Sequence, residues 1–293
     1  MIAYEGKIVI IAGPTASGKS SIAINLAKEL NGYIINADSR QIYKHIDIGS
    51  AKPTPDEILS DDVWVIDGIK HFLFDFVDPK ERFSLFKYQK LVSEILNTQE
   101  GIPILVGGTG LYIDSVVFNY DLKESSNNLD FSKLSIEQLQ ERASQYLPDM
   151  TESDRGNRHR LIRAIQRESL GRSKGKMLDN IYFVIDVDKD TLKDRIRERI
   201  DRVFKDGLLE ENIKLLEMGY TYNDPGLNSI GYKEFEEYFK NSISLDEVKE
   251  NIYTNTVKYA KRQRTWFKRN KESVWSNNYE QISQLALNFI TGE

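Results

Sequence analysis

The residues with the clearest chemical potential are Gly13-Pro14-Thr15-Ala16-Ser17-Gly18-Lys19-Ser20. Two glycines with four residues between them, followed by Lys-Ser, have the spacing of a phosphate-binding loop. Glycine lets successive backbone N–H groups point into one concavity, and a helix starting there adds partial positive charge. Lys19 offers a mobile cation for an outer phosphate, and Ser20 a hydroxyl for Mg2+. The pattern says neither which phosphate compound binds nor whether a phosphoryl group moves. Asp38, in Asp38-Ser39-Arg40-Gln41-Ile42-Tyr43, is a second chemical group. A carboxylate there has three uses: binding Mg2+ through water, accepting a proton, or capping a helix. Gly107-Gly108-Thr109-Gly110 is a third, with glycines expected to admit a ligand to the backbone and a hydroxyl on Thr109.

These groups need elements to hold them. Lys7 to Ala12 (KIVIIA) reads as a buried strand feeding the loop, and Ile22, Ala23, Leu26, Ala27 and Leu30 recur at helical spacing after it. Tyr33 to Ala37 reads as a second strand that ends at Asp38. Ligands of open parallel sheets sit beyond the carboxyl ends of strands, so Asp38 is expected beside the loop. His45 to Asp67 reads as irregular, His71 to Val77 as a strand, and Ser84 to Gln99 as a capped helix. Ile102 to Val106 is another buried strand, and strand logic resumes at Ile181 to Val187. The expected fold class is therefore α/β: a P-loop NTPase-like parallel sheet flanked by helices. Residues 1–120 and 181–293 form the core, and 121–180 a mostly helical insertion. In that insertion Asp121 to Asp130 reads as turn-like. Ser135 to Tyr146 reads as a helix with a Ser135–Gln138 capping box, and Gly171 to Lys176 as mobile.

Later helices are expected over Asp190 to Phe204, Leu208 to Met218, Ser244 to Asn270 and Tyr279 to Ile290, with a strand at Val274 to Ser276. Arg195, Arg199 and Arg202 share a face that could look into a phosphate site. The ordinary alternative is a solvated helix whose arginines pair with Asp194, Glu198 and Asp201. The end of the long helix, Lys258 to Lys271, carries seven Lys or Arg and no acid, with Tyr259, Trp266 and Phe267 interleaved. That suits backbone neutralisation plus base stacking. Lysines snorkelling from a core-packed helix would give the same composition.

The 293 residues carry a net charge of −5, which argues against a general nucleic-acid coat. Two basic segments, Thr151 to Lys176 and the helix end, leave room for one nucleic acid at one place. The chain has no cysteine, which excludes disulfides and Cys-ligated zinc or iron–sulfur sites. The first apolar run is too short for a signal-peptide core, no run spans a bilayer, and nothing demands an oligomer. A cytoplasmic monomer is expected.

Taken together, the chain resembles the tRNA dimethylallyltransferases. The matching motifs are GPTASGKS at 13–20, ADSRQIY at 37–43, AKP at 51–53, DFVDP at 75–79 and GGTGLY at 107–112. They continue with RHRLIRAI at 158–165, GLLEE at 207–211, SIGYKE at 229–234 and YAKRQRTWF at 259–267. Departures are Lys70-His71 where two histidines are usual, His159 where glutamine is usual, and Asn228-Ser229 where glutamine and a small residue are usual. The resemblance implies transfer of a dimethylallyl group from its pyrophosphate to the exocyclic amine of adenosine 37 in the tRNA anticodon stem-loop. The tRNAs would be those reading codons that begin with U. Residues Gly13 to Ser20 would then hold the leaving pyrophosphate, with Mg2+ on Ser20 as cofactor and Arg199 in the clamp, Arg195 being the runner-up for that role. Asp38 would be the general base, and Thr109 would bond the bridging oxygen or the amine. Asp38, Ser39, Arg40, Gln41, Thr109 and the segment His159, Arg160, Leu161, Ile162 and Arg163 would hold the flipped base and its neighbours. Lys261 and Arg262 would track tRNA phosphates. A P-loop small-molecule kinase explains the loop equally well but not the basic segments. A prenyltransferase for free adenine nucleotides shares the chemistry but leaves YAKRQRTWF without a purpose.

Overall fold

The computed structural model describes residues 1–123, 131, 134–167 and 174–293. Its elements in chain order are β1 (Ile8–Ala12), α1 (Lys19–Glu29), β2 (Gly32–Asn36), β3 (Glu57–Ser60), β4 (Val63–Ile66), β5 (Ile69–Phe72), α2 (Leu85–Thr98) and β6 (Ile102–Gly107). Then come α3 (Gly110–Val117), α4 (Ile136–Arg142), a 3-10 turn (Ser144–Asp149), α5 (Glu152–Arg155), α6 (Arg158–Arg167), β7 (Asn180–Ile185) and α7 (Lys189–Lys205). The chain closes with α8 (Leu208–Glu217), α9 (Phe235–Phe239), α10 (Leu245–Phe267), β8 (Val274–Ser276) and α11 (Tyr279–Thr291).

One sheet runs β3-β4-β5-β2-β6-β1-β7-β8. Its pairings from β5 to β8 are parallel, and only the β3–β4–β5 edge is antiparallel. Every residue of β1 is buried, as a strand covered on both faces requires. Alternate residues divide the core. Val9, Ile11, Ile34 and Phe183 face α1, α7 and α10, while Ile8, Ile10, Ile35 and Tyr182 face α2 and α3. Register brings the strand ends level, with Ala12 opposite Gly107 on one side and Val184 on the other. The glycine turn therefore emerges beside the ends of β6 and β7. The segment after β2 is drawn in by Ala37 N–H donating to Val106 O and Thr109 N–H donating to Ala37 O.

Two readings of the edge are corrected. The stretch read as irregular contains β3 and β4, joined to β5 through Asp67-Gly68, both in the left-handed region at φ +52° and +77°. Asp-Gly between alternating apolar residues is a hairpin signal. The strand read over His71 to Val77 stops at Phe72, because Leu73 (φ +67°) and Asp75 (φ +56°) break the extended backbone. Only a single bridge, Tyr43 to Val77, continues the pairing. α9 was not foreseen. The arginines of α7 also pair differently from expectation: Arg197 meets Glu250 and Asp201 meets Lys249, both on α10.

The inserted segment has its own small core of Phe131, Leu139, Ala143, Leu161 and Ala164, capped at Ser135 by the expected box. The turn-like residues 124–130 and the first three of Gly171 to Lys176 lie outside the described residues. No helix among the described residues is long and apolar enough to cross a membrane.

Candidate active site

β1 delivers the glycine turn and α1 begins at Lys19, so the turn's N–H groups gather at a helix N-terminus. Gly18 has φ +89°, and a Cβ placed on it would meet nothing within 4 Å. Glycine is needed there for backbone conformation, leaving open space above it. The buried Ser17 hydroxyl has no hydrogen-bond partner. An orphaned polar atom in such a cradle suits a site that receives a polar ligand. Lys19 Nζ donates to Pro14 O at 2.6 Å. Burial lowers its pKa to about 8, with Asp38 opposing the shift and Arg199 adding to it.

Arg199 reaches the same place from α7. Its Nη1 donates to Thr15 Oγ1 at 3.0 Å and its Nη2 to Ser50 O at 3.1 Å. Burial lowers its pKa, and the nearby Asp38 and Tyr232 pull it back up. Arg195 and Arg202 line an open cleft with Glu198 and Asp206 that also includes Arg199 and reaches the turn at Ala16 and Gly18.

Asp38 stands two residues past β2. Its N–H donates to Asn36 Oδ1 at 2.9 Å, and its Oδ1 accepts from Arg40 N–H at 2.8 Å, a local Asx turn. No helix begins here, so the helix-capping use is not what the structure shows; one oxygen closes this turn instead. The carboxylate lines two cavities. The first, 210 Å³, holds the glycine turn from Thr15 to Ser21 and runs inward to Ile24, Ile34, His71 and Phe74. The second, 310 Å³, shares Thr15, Asp38, Ser50 and Arg199 with the first and continues between α7 and α10 past Tyr259 and Arg262. Asp38, Lys19 and Arg199 are brought together where the cavities meet.

Other expected residues have different surroundings. Thr109 Oγ1 accepts from Ser39 N–H at 3.0 Å and donates to Ser39 Oγ at 3.2 Å, and Tyr259 also hydrogen-bonds it. Arg40 Nη1 donates to Pro225 O at 3.0 Å, and Gln41 Nε2 to Ala51 O at 3.1 Å. Arg160 is exposed and paired with Asp154 at 2.6 Å. Leu161 is fully buried in the insertion's core, so direct contact with RNA is corrected to a packing role. Ile162 packs partly against the same cluster. The side chains of His159 and Arg163 lie outside the described residues.

The second glycine turn departs from expectation. A Cβ on Gly107 would lie 2.1 Å from Ala37 O, one on Gly108 2.3 Å from Gln263 Nε2, and one on Gly110 2.2 Å from the Trp266 ring. A side chain at any of them would meet protein, although Gly107 also lines the first cavity. The helix end read as a basic tract is likewise two-sided. Ala260, Gln263 and Phe267 are buried at helical spacing, while Lys261 and Arg262 are exposed. Gln263 was missed: its Oε1 accepts from Thr15 N–H and its Nε2 donates to Gly108 O, both at 2.9 Å. Trp266 Nε1 donates to Asp114 at 3.0 Å. The three-and-four spacing of 260, 263 and 267 was the signal that could have found the inward face.

No group of three or more His, Cys, Asp or Glu among the described residues could hold a metal ion. A Mg2+ shared with phosphate oxygens needs only one or two protein oxygens. The Ser20 hydroxyl and the Asp38 carboxylate, both on the first cavity, are donors of the right kind.

A family model described as IPP transferase matches residues 41–270. The tRNA dimethylallyltransferase of Thermoanaerobacter sp. (strain X514) is 37% identical, covering 98% of this chain and 98% of its own. That of Acetivibrio thermocellus is also 37% identical, over 93% of this chain and 92% of its own. Among solved structures, the tRNA isopentenylpyrophosphate transferase of Bacillus halodurans superposes with a TM-score of 0.72 at 31% identity, over 98% of this chain and 96% of that one. A eukaryotic dimethylallyltransferase acting on tRNA shares the fold at TM-score 0.75 and 23% identity, over 99% of this chain and 80% of that one.

Proposed function

The chain belongs to the IPP transferase family with the tRNA dimethylallyltransferases, and from that premise we propose how its residues carry the reaction. The activity is transfer of a dimethylallyl group to tRNA. The donor is dimethylallyl pyrophosphate, and the acceptor is the exocyclic amine of adenosine 37 in the anticodon stem-loop. The tRNAs are those reading codons that begin with U. The protein acts as a monomer in the cytoplasm.

The observation that carries this assignment is the place of Asp38, on the wall common to both cavities and facing Lys19 and Arg199. The pyrophosphate occupies the glycine turn, where N–H groups, Lys19 and Arg199 meet the charge that grows as the allylic carbon–oxygen bond breaks. Mg2+ on Ser20, when bound, offsets further negative charge on that leaving group. The dimethylallyl tail lies along the inner wall formed by Ile24, Ile34 and Phe74. Adenine enters by the second cavity, out of the anticodon-loop stack. Its amine is a weak nucleophile because the lone pair is delocalised into the ring. The Asp38 oxygen not committed to Arg40 N–H aligns the amine and takes its proton as the new carbon–nitrogen bond forms. Thr109 holds Ser39 and Tyr259 around that entrance. Residues 121–180 and the exposed face of α10, with Lys261 and Arg262, lie against the tRNA backbone.

The test is turnover of Asp38→Ala with dimethylallyl pyrophosphate and tRNA, read by mass spectrometry of digested nucleosides. A loss of about 10²–10⁴-fold is expected for a general base. Near-normal turnover overturns the assignment.

A further inference from the structure

Glu211, on the first turn of α8, takes no part in the chemistry above, yet it has the densest set of donors around any carboxylate near the site. Its Oε2 accepts from Asp47 N–H at 2.9 Å and Ile48 N–H at 2.8 Å, and its Oε1 accepts from Gly49 N–H at 3.1 Å. The Tyr232 hydroxyl donates to Oε1 at 2.6 Å. Three successive backbone N–H groups wrapped on one anion form a nest, which fixes the backbone that supplies them. Tyr232 closes it from the far side. Its ring lies so near Gly49 that a Cβ there would come within 2.6 Å of it. The buried phenol is held in its donating form, with burial and Glu211 both raising its pKa.

The next residue along this backbone is Ser50. Its carbonyl accepts from Arg199 Nη2 at 3.1 Å and Gln41 Nε2 at 3.3 Å. The segment is pinned at its other end by Lys52, which is almost fully buried, pairs with Asp75, and donates to Asp47 Oδ1 at 2.5 Å and Tyr43 O at 2.8 Å. A continuous chain of contacts therefore runs from Glu211 through residues 47–49 to the Ser50 carbonyl and so to the Arg199 guanidinium. Arg199 has five donors, and two of them are spent on Thr15 and Ser50. Those two bonds decide where the remaining donors point.

We propose that Glu211 and Tyr232 are positioning residues for Arg199: they hold the 47–50 segment so that the guanidinium is aimed at the leaving pyrophosphate before it departs. The proposal rests on the reading of Arg199 as a pyrophosphate ligand. Two motifs far apart in sequence, GLLEE and SIGYKE, thereby serve one arginine on a third element. Glu211 lines neither cavity, and Tyr232, which lines the second, turns its hydroxyl to Glu211; losing that charge or that hydroxyl is therefore expected to act on the transition state through Arg199 and to leave tRNA affinity alone.

The experiment is a double-mutant cycle. Glu211→Gln keeps size and removes charge, and it is made with Arg199 intact and again with Arg199→Ala. With Arg199 intact, kcat/KM for dimethylallyl pyrophosphate is expected to fall about 10–100-fold, with KM for tRNA unchanged. With Arg199→Ala, the same change is expected to cost less than about 3-fold, because the group it positions is gone. Tyr232→Phe removes only the hydroxyl and provides the same comparison should Glu211→Gln fail to fold. Its expected effect is about 3–10-fold with Arg199 intact. Equal losses in both backgrounds, or none in either, overturn the proposal. A matching rise in KM for tRNA also overturns it, since that would mark a general disturbance. Failure of the Arg199 reading itself shows separately, as an Arg199→Ala enzyme with undiminished turnover.

Discussion

The two glycine-rich turns at the top of the sheet, Gly13 to Gly18 after β1 and Gly107 to Gly110 after β6, look alike in sequence and do opposite things. Around Gly18 there is room for a ligand, and the buried Ser17 hydroxyl beside it has no partner. Around Gly107, Gly108 and Gly110 the room is already taken by Ala37 O, Gln263 and Trp266. The first turn keeps Gly18 for its positive φ and leaves open space beside it, whereas the second keeps glycine so that the end of β2 and α10 can approach. The second turn nonetheless serves the first, because Gln263 joins Gly108 O to Thr15 N–H across the gap. A glycine cluster after a strand thus has two explanations, and only its neighbours decide between them.

The contrast is tested most strongly at Lys19. Lys19→Ala should lower kcat/KM for dimethylallyl pyrophosphate about 10²–10³-fold, the usual cost of one preorganised donor to a developing negative charge. Its thermal midpoint should stay near wild type. A comparable loss of stability would mean that Lys19 serves the fold. Gly107→Ala should show the reverse. A methyl group aimed at a backbone carbonyl has no flexible neighbour to yield, so unfolding in urea should reveal a loss of about 1–3 kcal/mol or more. If the variant unfolds like wild type, the second turn is not close-packed and the comparison fails.

Gln263→Leu probes the link between the turns. It leaves Thr15 N–H and Gly108 O without their partner, and each unpaired group costs about 1–3 kcal/mol where water is excluded. The N–H belongs to the pyrophosphate turn, so KM for the donor should rise along with the loss of stability, while KM for tRNA holds. A change in stability alone would show that Gln263 packs α10 without shaping the first turn.

Much of this contrast was legible in the sequence and part was not, for a physical reason. The first turn was readable because its chemistry is local: the strand, the glycines and the helix start are contiguous. Helix starts at Ser84, Ser135 and Ser244 were readable for the same reason, since capping is decided within four residues. The packing role of the second turn was not legible because the atoms that demand its glycines lie far away, on Ala37, Gln263 and Trp266. The inward face of α10 was hidden beneath seven cations that draw attention to charge. The role of Glu211 was not legible, because its three backbone donors come from residues more than 160 positions away. The β3–β4–β5 meander was a different kind of miss, since its Asp67-Gly68 turn was present and local.

The smallest effect expected is a pH dependence that belongs to the first turn alone. Burial brings the Lys19 pKa down to about 8, so the ammonium is complete below that pH and is lost as pH rises through it. In the free enzyme, kcat/KM for dimethylallyl pyrophosphate should therefore fall above pH 8, by up to about tenfold per unit if only the charged form binds the donor. Bound pyrophosphate favours the ammonium, so kcat at saturating donor should fall only at higher pH. Lys19→Arg keeps its charge throughout this range and should flatten the fall whatever its absolute rate. Gln263→Leu, which alters the turn without altering the ammonium, should keep the inflection. A profile that still bends near pH 8 in Lys19→Arg would assign the titration to another group and remove Lys19 from its place in the comparison.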